Sequence, residues 1–506
     1  MKKLADDRML PLSFEQLLKT FLAEYRAKKT LAYVLFAANK KNVQLGVAAG
    51  PHTQMAQNIV ACFAAGASVI ELKTVQIIDG EDLKLEKPCI YSNFAVFNTE
   101  WSTELTVQQA ADEYVKAFIL IRLLGMEFSL QNAENVRFYP SIGYDLAGIK
   151  SQKIDSFINQ MKDFSKSEEW KADFDFVKKN IDLFENITLA DVQNLEKEGA
   201  ACTCFTLSTM HGCPKEEIES IIKYLLSEKK VSTFVKMNPT LIGPQAVSQI
   251  LNSKGYSLEI PDDVYEQNIN LTQAVDIVKN CSLYAKKLGL KFGLKMTNTL
   301  PVFIKNEELK GERMYMSGPG LYTLSINSTK ALLEKLMAAG LAIDEIEVSY
   351  SGGADKSNIA QLFECGIKTV TVCSILLKSG GYKNLSKLLD VLDERSDFNL
   401  QDSKINLKKL DELCRKSVET KDYDFVKKEA AKARENYSSL CAKCSNCVDV
   451  CPNRANVMYE IDDSDNKKIA VVNLHQLCNE CGVCAKNCPM GHAPYLEKKR
   501  IEWRMI

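Results

Sequence analysis

Eight of the 17 cysteines in this 506-residue chain fall between residues 441 and 488, and their spacing repeats. Cys441, Cys444, Cys447 and Cys451 precede Pro452, and Cys478, Cys481, Cys484 and Cys488 precede Pro489. Each run reads C-x2-C-x2-C-x3-C-P. Three cysteines at two-residue gaps wrap one tight turn around an iron–sulfur cubane and bind three of its irons. The fourth, a short helical step further on, reaches the other cubane. The expected partition is Cys441, Cys444, Cys447 and Cys488 on one [4Fe–4S] cluster, and Cys478, Cys481, Cys484 and Cys451 on the second. Zinc ribbons are the competing use of eight thiols. They want paired CxxC knuckles or Cys/His mixtures with four ligands per ion. Here each run has a third evenly spaced cysteine, and no histidine falls at ligand spacing. Two clusters so close pass single electrons and do not by themselves transform a substrate.

Such a wire usually needs a two-electron group. No G-x-G-x-x-G opens a βα unit, so no Rossmann site for NAD or FAD is visible. The stretch Ser317, Gly318, Pro319, Gly320 is glycine-rich but lacks that spacing. There is no Walker A loop and no H-E-x-x-H. Hydride from NAD(P)H then has to enter through another polypeptide, and a separate FAD/NAD(P)H-binding subunit is the expected partner.

Composition narrows the setting. Hydrophobic residues make up 46% and charged residues 25%, ordinary for a globular chain. With 64 basic against 65 acidic residues the net charge is -1, which points away from nucleic acid. Cysteine is too sparse for a disulfide scaffold. The first residues, MKKLADDRMLPLSFEQLLKTF, are broken by Asp6, Asp7 and Arg8 and offer no apolar signal core. No run approaches the ~20 apolar residues of a membrane span. The expectation is a cytoplasmic protein with no membrane contact.

The elements that must position any site come next. In the first 40 residues Leu12, Phe14, Leu17, Leu18, Phe21 and Leu22 recur at helical spacing, which predicts a packing arm. From about residue 45 short apolar runs alternate with helical patterns. The runs are 45–49, 68–72, 136–142, 202–207, 233–237, 291–296, 345–349 and 369–372. The helices expected between them include 110–124, 215–226, 271–288, 329–339 and 358–365. Apolar strands alternating with helices imply parallel pairing with both faces buried, and eight such units imply a (β/α)8 barrel. The charged stretch 151–199 is a helical insertion in one unit. The expected divisions are a helical arm (1–40), the barrel (41–395), a helical linker (396–435) and the cysteine-rich module (436–506).

The strand ends carry a resemblance. VAAGPHTQ (47–54), ELKTVQ (71–76), VFNTEWSTE (96–104), FTLSTMHGCPKEE (205–217), FVKMNPT (234–240), LKMTNT (294–299), MSGPGLY (316–322), SYSGGAD (349–355) and VTVCS (370–374) follow in order. In order and spacing they resemble the FMN barrel of dihydroorotate and dihydropyrimidine dehydrogenases. The tail, similar to a bacterial 2[4Fe–4S] ferredoxin, narrows this to dihydropyrimidine-dehydrogenase-type subunits. AAGPHTQ, ELKTVQ and FNTEWSTE resemble a branch named as selenate reductase subunits and associated with bacterial purine catabolism. The implied fold class is α/β: a TIM barrel of the dihydroorotate dehydrogenase type with a C-terminal α+β ferredoxin-like domain.

The resemblance implies FMN, and the residues have physical reasons to hold it. Ala48, Ala49 and Gly50 are small enough for a flat isoalloxazine to lie against the strand end. Lys73 and Lys236 would be cations beside its N1/O2 edge, and Thr74 would add a hydrogen bond. Ser351, Gly352, Gly353, Cys373 and Ser374 follow strands seven and eight, where barrels hold phosphate on backbone N–H groups. Asn98, Asn238, Asn298 and Thr299 match positions where relatives hydrogen-bond a planar amide ring, a task suited to a side chain with both donor and acceptor. In these relatives a cysteine on the loop after strand four supplies a proton. Cys213 holds that place, and its position before a helix predicts a lowered pKa. His211 is a second group that could tune it. The relatives' Asn-x-Ser-Cys-Pro is replaced here by 206–210 and a shorter loop, so uracil, thymine or dihydroorotate do not follow as substrates.

The function implied is reduction or oxidation of a C=C bond in a pyrimidine- or purine-like N-heterocycle. Electrons would pass between the FAD/NAD(P)H subunit, two [4Fe–4S] clusters and FMN in a homo- or hetero-oligomer. The alternative is a non-catalytic electron-transfer subunit of a larger reductase, such as one for selenate.

Overall fold

The computed structural model describes residues 9–99, 102–210, 212–395, 404–419, 441–463 and 466–502. Eight parallel strands close into a barrel: Gln44–Val47, Val69–Val75, Arg137–Gly143, Cys204–Ser208, Ser232–Met237, Phe292–Met296, Glu347–Tyr350 and Thr369–Val372. Each overlaps a run read from the sequence, and each pairs with its sequence neighbour until the eighth closes on the first. These strands bury almost every residue, because helices cover the barrel outside and side chains fill it inside. At the first strand a Cβ on Gly46 would sit 1.7 Å from the carbonyl oxygen of Val69, so only glycine lets these two strands meet.

The helices run longer or start later than their periodicity suggested. Val107–Phe128 and Pro319–Ala338 extend the expected 110–124 and 329–339, while the helix expected at 215–226 is Ile218–Ser227. A second, four-stranded antiparallel sheet escaped the sequence reading. It joins Ile90–Ser92, Val96–Asn98, Leu300–Phe303 and Arg313–Ser317. Its strands leave the barrel after strands two and six.

The arm is the helix Phe14–Lys28, started by a capping box of Ser13 and Gln16 and burying Phe14, Leu17, Leu18, Phe21 and Leu22. The insertion holds three helices, Gln152–Lys162, Glu168–Lys179 and Leu189–Glu198, each with a Ser or Thr N-cap. Trp170, Phe174 and Phe157 turn inward, and Tyr114 and Phe118 of the helix Val107–Phe128 meet this aromatic group. Within the expected linker, Leu407–Glu419 is helical and buries Leu410, Leu413 and Cys414. Residues 396–403 and 420–440 lie outside the described residues.

A buried acid cluster ties insertion to barrel. Lys116 Nζ donates to Glu113 at 2.7 Å and to the Leu12 carbonyl at 3.0 Å, joining helix and arm. Asp173 is 4% exposed and its Oδ2 has no hydrogen-bond partner. Burial, then the nearby Glu169 carboxylate, raise its pKa from 3.8 to about 9, against the pull of Lys116. The folded state therefore binds the proton more tightly than the unfolded chain, and stability falls as pH rises from about 4 towards about 9. Asp173→Asn removes that penalty. Its advantage over the unmodified protein in thermal unfolding is expected to grow across this window, by about 1 °C for each kcal/mol relieved. A constant difference at every pH would contradict this.

The cysteine-rich module is a hairpin of Asn456–Asp463 and Asn466–Leu474 with a parallel third strand, Lys499–Ile501. It docks on the barrel through specific contacts. Ile90 N–H donates to the Cys481 carbonyl at 2.9 Å, and the Tyr382 hydroxyl to the Pro452 carbonyl at 2.5 Å. Asn58 Nδ2 donates to Asn453 Oδ1 at 3.1 Å and Asn479 Nδ2 to Glu104 at 2.6 Å. Cys89, Ile90, Val96 and Leu377 of the barrel share one apolar cluster with Cys447, Val448, Cys481 and Val483.

Candidate active site at the barrel mouth

The strands end in a cavity of about 130 Å³, open at its mouth. Of the predicted residues, Ala48, Ala49, Gly50, Lys73, Thr74, Asn98, Lys236, Asn298, Thr299, Ser351, Gly353, Cys373 and Ser374 line it together. They come from the ends of six barrel strands, which only barrel closure brings to one place, and from the short strand Val96–Asn98 of the second sheet. Gly50 is required by close approach, since a Cβ there would lie 2.6 Å from Cys373 Sγ. Gly353 has φ +81°, and a Cβ would lie 2.4 Å from the Gly318 carbonyl oxygen.

Several lining residues were not anticipated. Ser208, Met210, Thr297, Ser317, Gly318 and Pro319 join the wall, with Ile90 and Leu377 from the module-facing side. Gly318 and Pro319 begin the long helix Pro319–Ala338, so a helix N-terminus faces this edge. Ser317 Oγ and Ser374 Oγ are 2.8 Å apart there. The segment set aside for lacking dinucleotide spacing is thus part of the site. His52, between Gly50 and Gln54, is fully buried, and burial drops its pKa to about 3, so it is neutral. Its Nδ1 lies 3.9 Å from Cys373 Sγ, and its ring meets Tyr382 edge-on.

Three expectations need correction. Asn238 does not line the cavity. Its side chain is turned sideways, donating to Asn268 at 2.6 Å and accepting from Asn298 Nδ2 at 2.7 Å, so it braces Asn298. Gly352 does not reach the wall either; it packs against Ser325, where a Cβ would be 2.2 Å away. Cys213 lies in a neighbouring hollow with Thr209, Met210, Pro214, Asn268, Arg313 and Tyr315, and Met210 belongs to both hollows. Its pKa is not lowered. The helix begins only at Ile218, and burial, then the carboxylates of Glu217 and Asp145, push the thiol up to about 12. His211 lies outside the described residues.

The cavity fits a flat group carrying a phosphate. It offers a small-residue floor at 48–50, two lysines, and at one end hydroxyls and glycines against a helix start. Lys236 has its pKa lowered by burial, while Glu71 pulls it back up.

The eight module cysteines form two groups. Cys441, Cys444, Cys447 and Cys488 surround one small hollow. Cys451 lies within electrostatic reach of Cys478, Cys481 and Cys484, and also of Cys447 in the other group. Ala455 N–H donates to Cys451 Sγ at 3.2 Å and Lys498 Nζ to Cys441 Sγ at 3.1 Å, contacts that suit thiolate donors. All-cysteine donor sets of this kind fit iron–sulfur cubanes.

A closed TIM barrel is joined in this chain to a 4Fe–4S dicluster domain. Residues 19–425 match the family described as "Oxidoreductase YgfK, N-terminal TIM-barrel domain", and residues 424–493 match a 4Fe-4S dicluster domain. The chain belongs to the YgfK oxidoreductase family. It is 38% identical over 422 residues to "Putative oxidoreductase YgfK" of Escherichia coli strain K12, and equally to that of strain O157:H7. This covers 78% of the chain but 40% of those proteins, so the chain spans less than half the length of these curated relatives. Over 60 residues it is 38% identical to the methylamine utilization ferredoxin-type protein MauM of Paracoccus denitrificans, covering 12% of the chain and 26% of MauM. Among solved structures it aligns with DHODH in complex with ferulenol from Eimeria tenella. The TM-score is 0.44 at 14% identity, covering 78% of this chain and 96% of that one. Among the described residues, no helix is long and apolar enough to cross a membrane.

Proposed function

We propose that this chain is the FMN- and iron–sulfur-dependent part of an oxidoreductase acting on a C=C bond of a pyrimidine- or purine-like N-heterocycle. Electrons pass between a separate FAD/NAD(P)H-binding subunit, two [4Fe–4S] clusters and FMN at the barrel mouth. One observation carries the reading: Ile90 and Leu377 line the cavity and also pack against the cysteine module, so the two redox sites share a wall.

The inner cluster on this reading is held by Cys451, Cys478, Cys481 and Cys484, because Cys481 and the residues after Cys451 make the barrel contacts. Cys441, Cys444, Cys447 and Cys488 hold the outer one, and Cys441 and Cys444 are exposed towards a donor. Bound FMN would exchange single electrons with the clusters and pairs with the heterocycle. Ala48, Ala49 and Gly50 support its ring, and Thr74 adds a hydroxyl. Lys73 and Lys236 offset charge gained on reduction. Ser351, Gly353, Cys373 and Ser374 face the phosphate end, and Gly352 sets the turn beneath it. Asn98, Asn298 and Thr299 hydrogen-bond the substrate ring, with Asn238 bracing Asn298. Cys213 holds the proton that goes to the carbon opposite hydride.

The test is to reduce the flavin-loaded protein anaerobically and mix it with a panel of pyrimidines and oxidised purines. Reoxidation of the flavin absorbance by at least one heterocycle is expected. Bound, reducible flavin that no heterocycle reoxidises would favour an electron-transfer subunit instead.

A further inference from the structure

Barrel interiors are normally filled by layers of branched apolar side chains. Beneath the cavity this barrel instead holds a buried ionic layer. Lys236 and Lys295 are partners in register on strands five and six, so both side chains enter the barrel on the same level. Two cations side by side in a buried layer repel, and Lys295 is only 1% exposed. Glu71, 2% exposed, reaches across from strand two and forms an ion pair with Lys295. Lys295 also donates to Ser349 Oγ at 3.0 Å and to the Thr371 hydroxyl, and Thr371 donates to Glu71 at 3.2 Å. Every donor of the Lys295 ammonium is thereby spent inside the barrel.

The same carboxylate touches the floor of the site. Glu71 Oε2 accepts from the Ala49 N–H at 3.4 Å, within the small-residue stretch 48–50. Lys73, two residues on from Glu71 along the same strand, lines the cavity itself. Glu104 lies in the field of Lys73. The layer below therefore consists of two lysines and one carboxylate.

We propose that Glu71 and Lys295 are positioning residues that hold this layer at one net positive charge under the flavin. They thereby set how strongly the site favours reduced over oxidised FMN. The inference rests on the flavin reading above. A neutral layer would lose that preference. A doubly positive one would be unstable, because a buried ammonium without its carboxylate gives up its proton. Burial already lowers the Lys295 pKa to about 8, with Glu71 opposing the fall and Lys236 deepening it.

The experiment uses the full chain loaded with FMN and measures the flavin midpoint potential by equilibrium titration against a reference dye. Lys295→Met leaves Glu71 to cancel Lys236. It is expected to weaken binding of reduced relative to oxidised flavin by about tenfold, a potential about 30 mV lower. Adding Glu71→Gln to Lys295→Met restores one net charge and should return the potential to that of the unmodified protein. An unchanged potential in Lys295→Met, or a double variant that stays low, would overturn the proposal.

If Lys295→Met fails to hold flavin, the unmodified protein and the double variant decide the matter through pH. Among the described residues the charged groups acting on Lys295 are Glu71 from strand two and Lys236 from strand five, and Cys373 after strand eight acts on Lys236. Potentials of the two proteins should coincide near pH 6 and diverge as pH passes about 8, the unmodified protein falling below. Parallel curves would reject the idea. A chain that binds no FMN at all overturns the flavin reading instead.

Discussion

Cys213→Ala is expected to lower turnover on the true heterocycle by about 10²–10⁴, the usual contribution of a positioned acid. Flavin content, iron content and chemical reduction of the flavin should stay unchanged, because Cys213 lines neither the barrel-mouth cavity nor the hollows of the cysteine module. The thiol's pKa of about 12 is what a stored proton requires, since the group stays protonated across the physiological range. The rate should therefore show no limb from thiol ionisation between pH 6 and pH 9, in contrast to a thiolate poised near neutrality. Met210 stands in both hollows, so the proton reaches the cavity only past that side chain. The Met210 side chain is expected to move aside when substrate binds, a gating step. Cys213→Ser should keep part of the activity, since a hydroxyl is a weaker acid of similar size. Full turnover in Cys213→Ala would remove the residue from the mechanism.

Cys451→Ala is expected to have the second large effect, severing the wire at its inner end. Iron should fall from about eight to about four atoms per chain, as one cubane loses a ligand. Flavin should remain, because among the described residues none of the module contributes to the cavity wall. Flavin reduction by an external one-electron protein donor should then collapse, while reduction by a small chemical reductant persists. Cys444→Ala, in the exposed group, should instead spare the inner cluster and leave its spectroscopic signal intact. A Cys451→Ala protein that kept all its iron, or in which the protein donor still reduced flavin at the original rate, would refute the assigned order.

Much of this was legible in the residues because the signals were local. Eight apolar runs are long enough to show strand character, and each became a barrel strand. The cysteine runs fix their own chemistry by spacing. The four-stranded sheet at the mouth was hidden because Ile90–Ser92 and Val96–Asn98 are too short to show a period of two. The lowered pKa expected of Cys213 failed because burial, then Glu217 and the sequence-distant Asp145, act on the thiol, and the helix starts at Ile218 rather than beside it. Asn238 carries the right chemistry at the right strand end, but its direction depends on Asn268, which no motif announces. Lys295 sits inside a continuous apolar run, where one lysine reads as a solvated end rather than half of a buried pair. Its partner Glu71 is separated from it by most of the barrel, so only closure reveals them.

On the proposed function, one chain joins a flavin in the barrel to two clusters in the module. The most direct measurement is an anaerobic reductive titration of the purified chain, followed by absorbance and electron paramagnetic resonance, with the released flavin identified after denaturation. The account predicts FMN at about one per chain and about four electron equivalents taken up, two by the flavin and one by each cluster. Uptake of only two equivalents with no flavin released would contradict it.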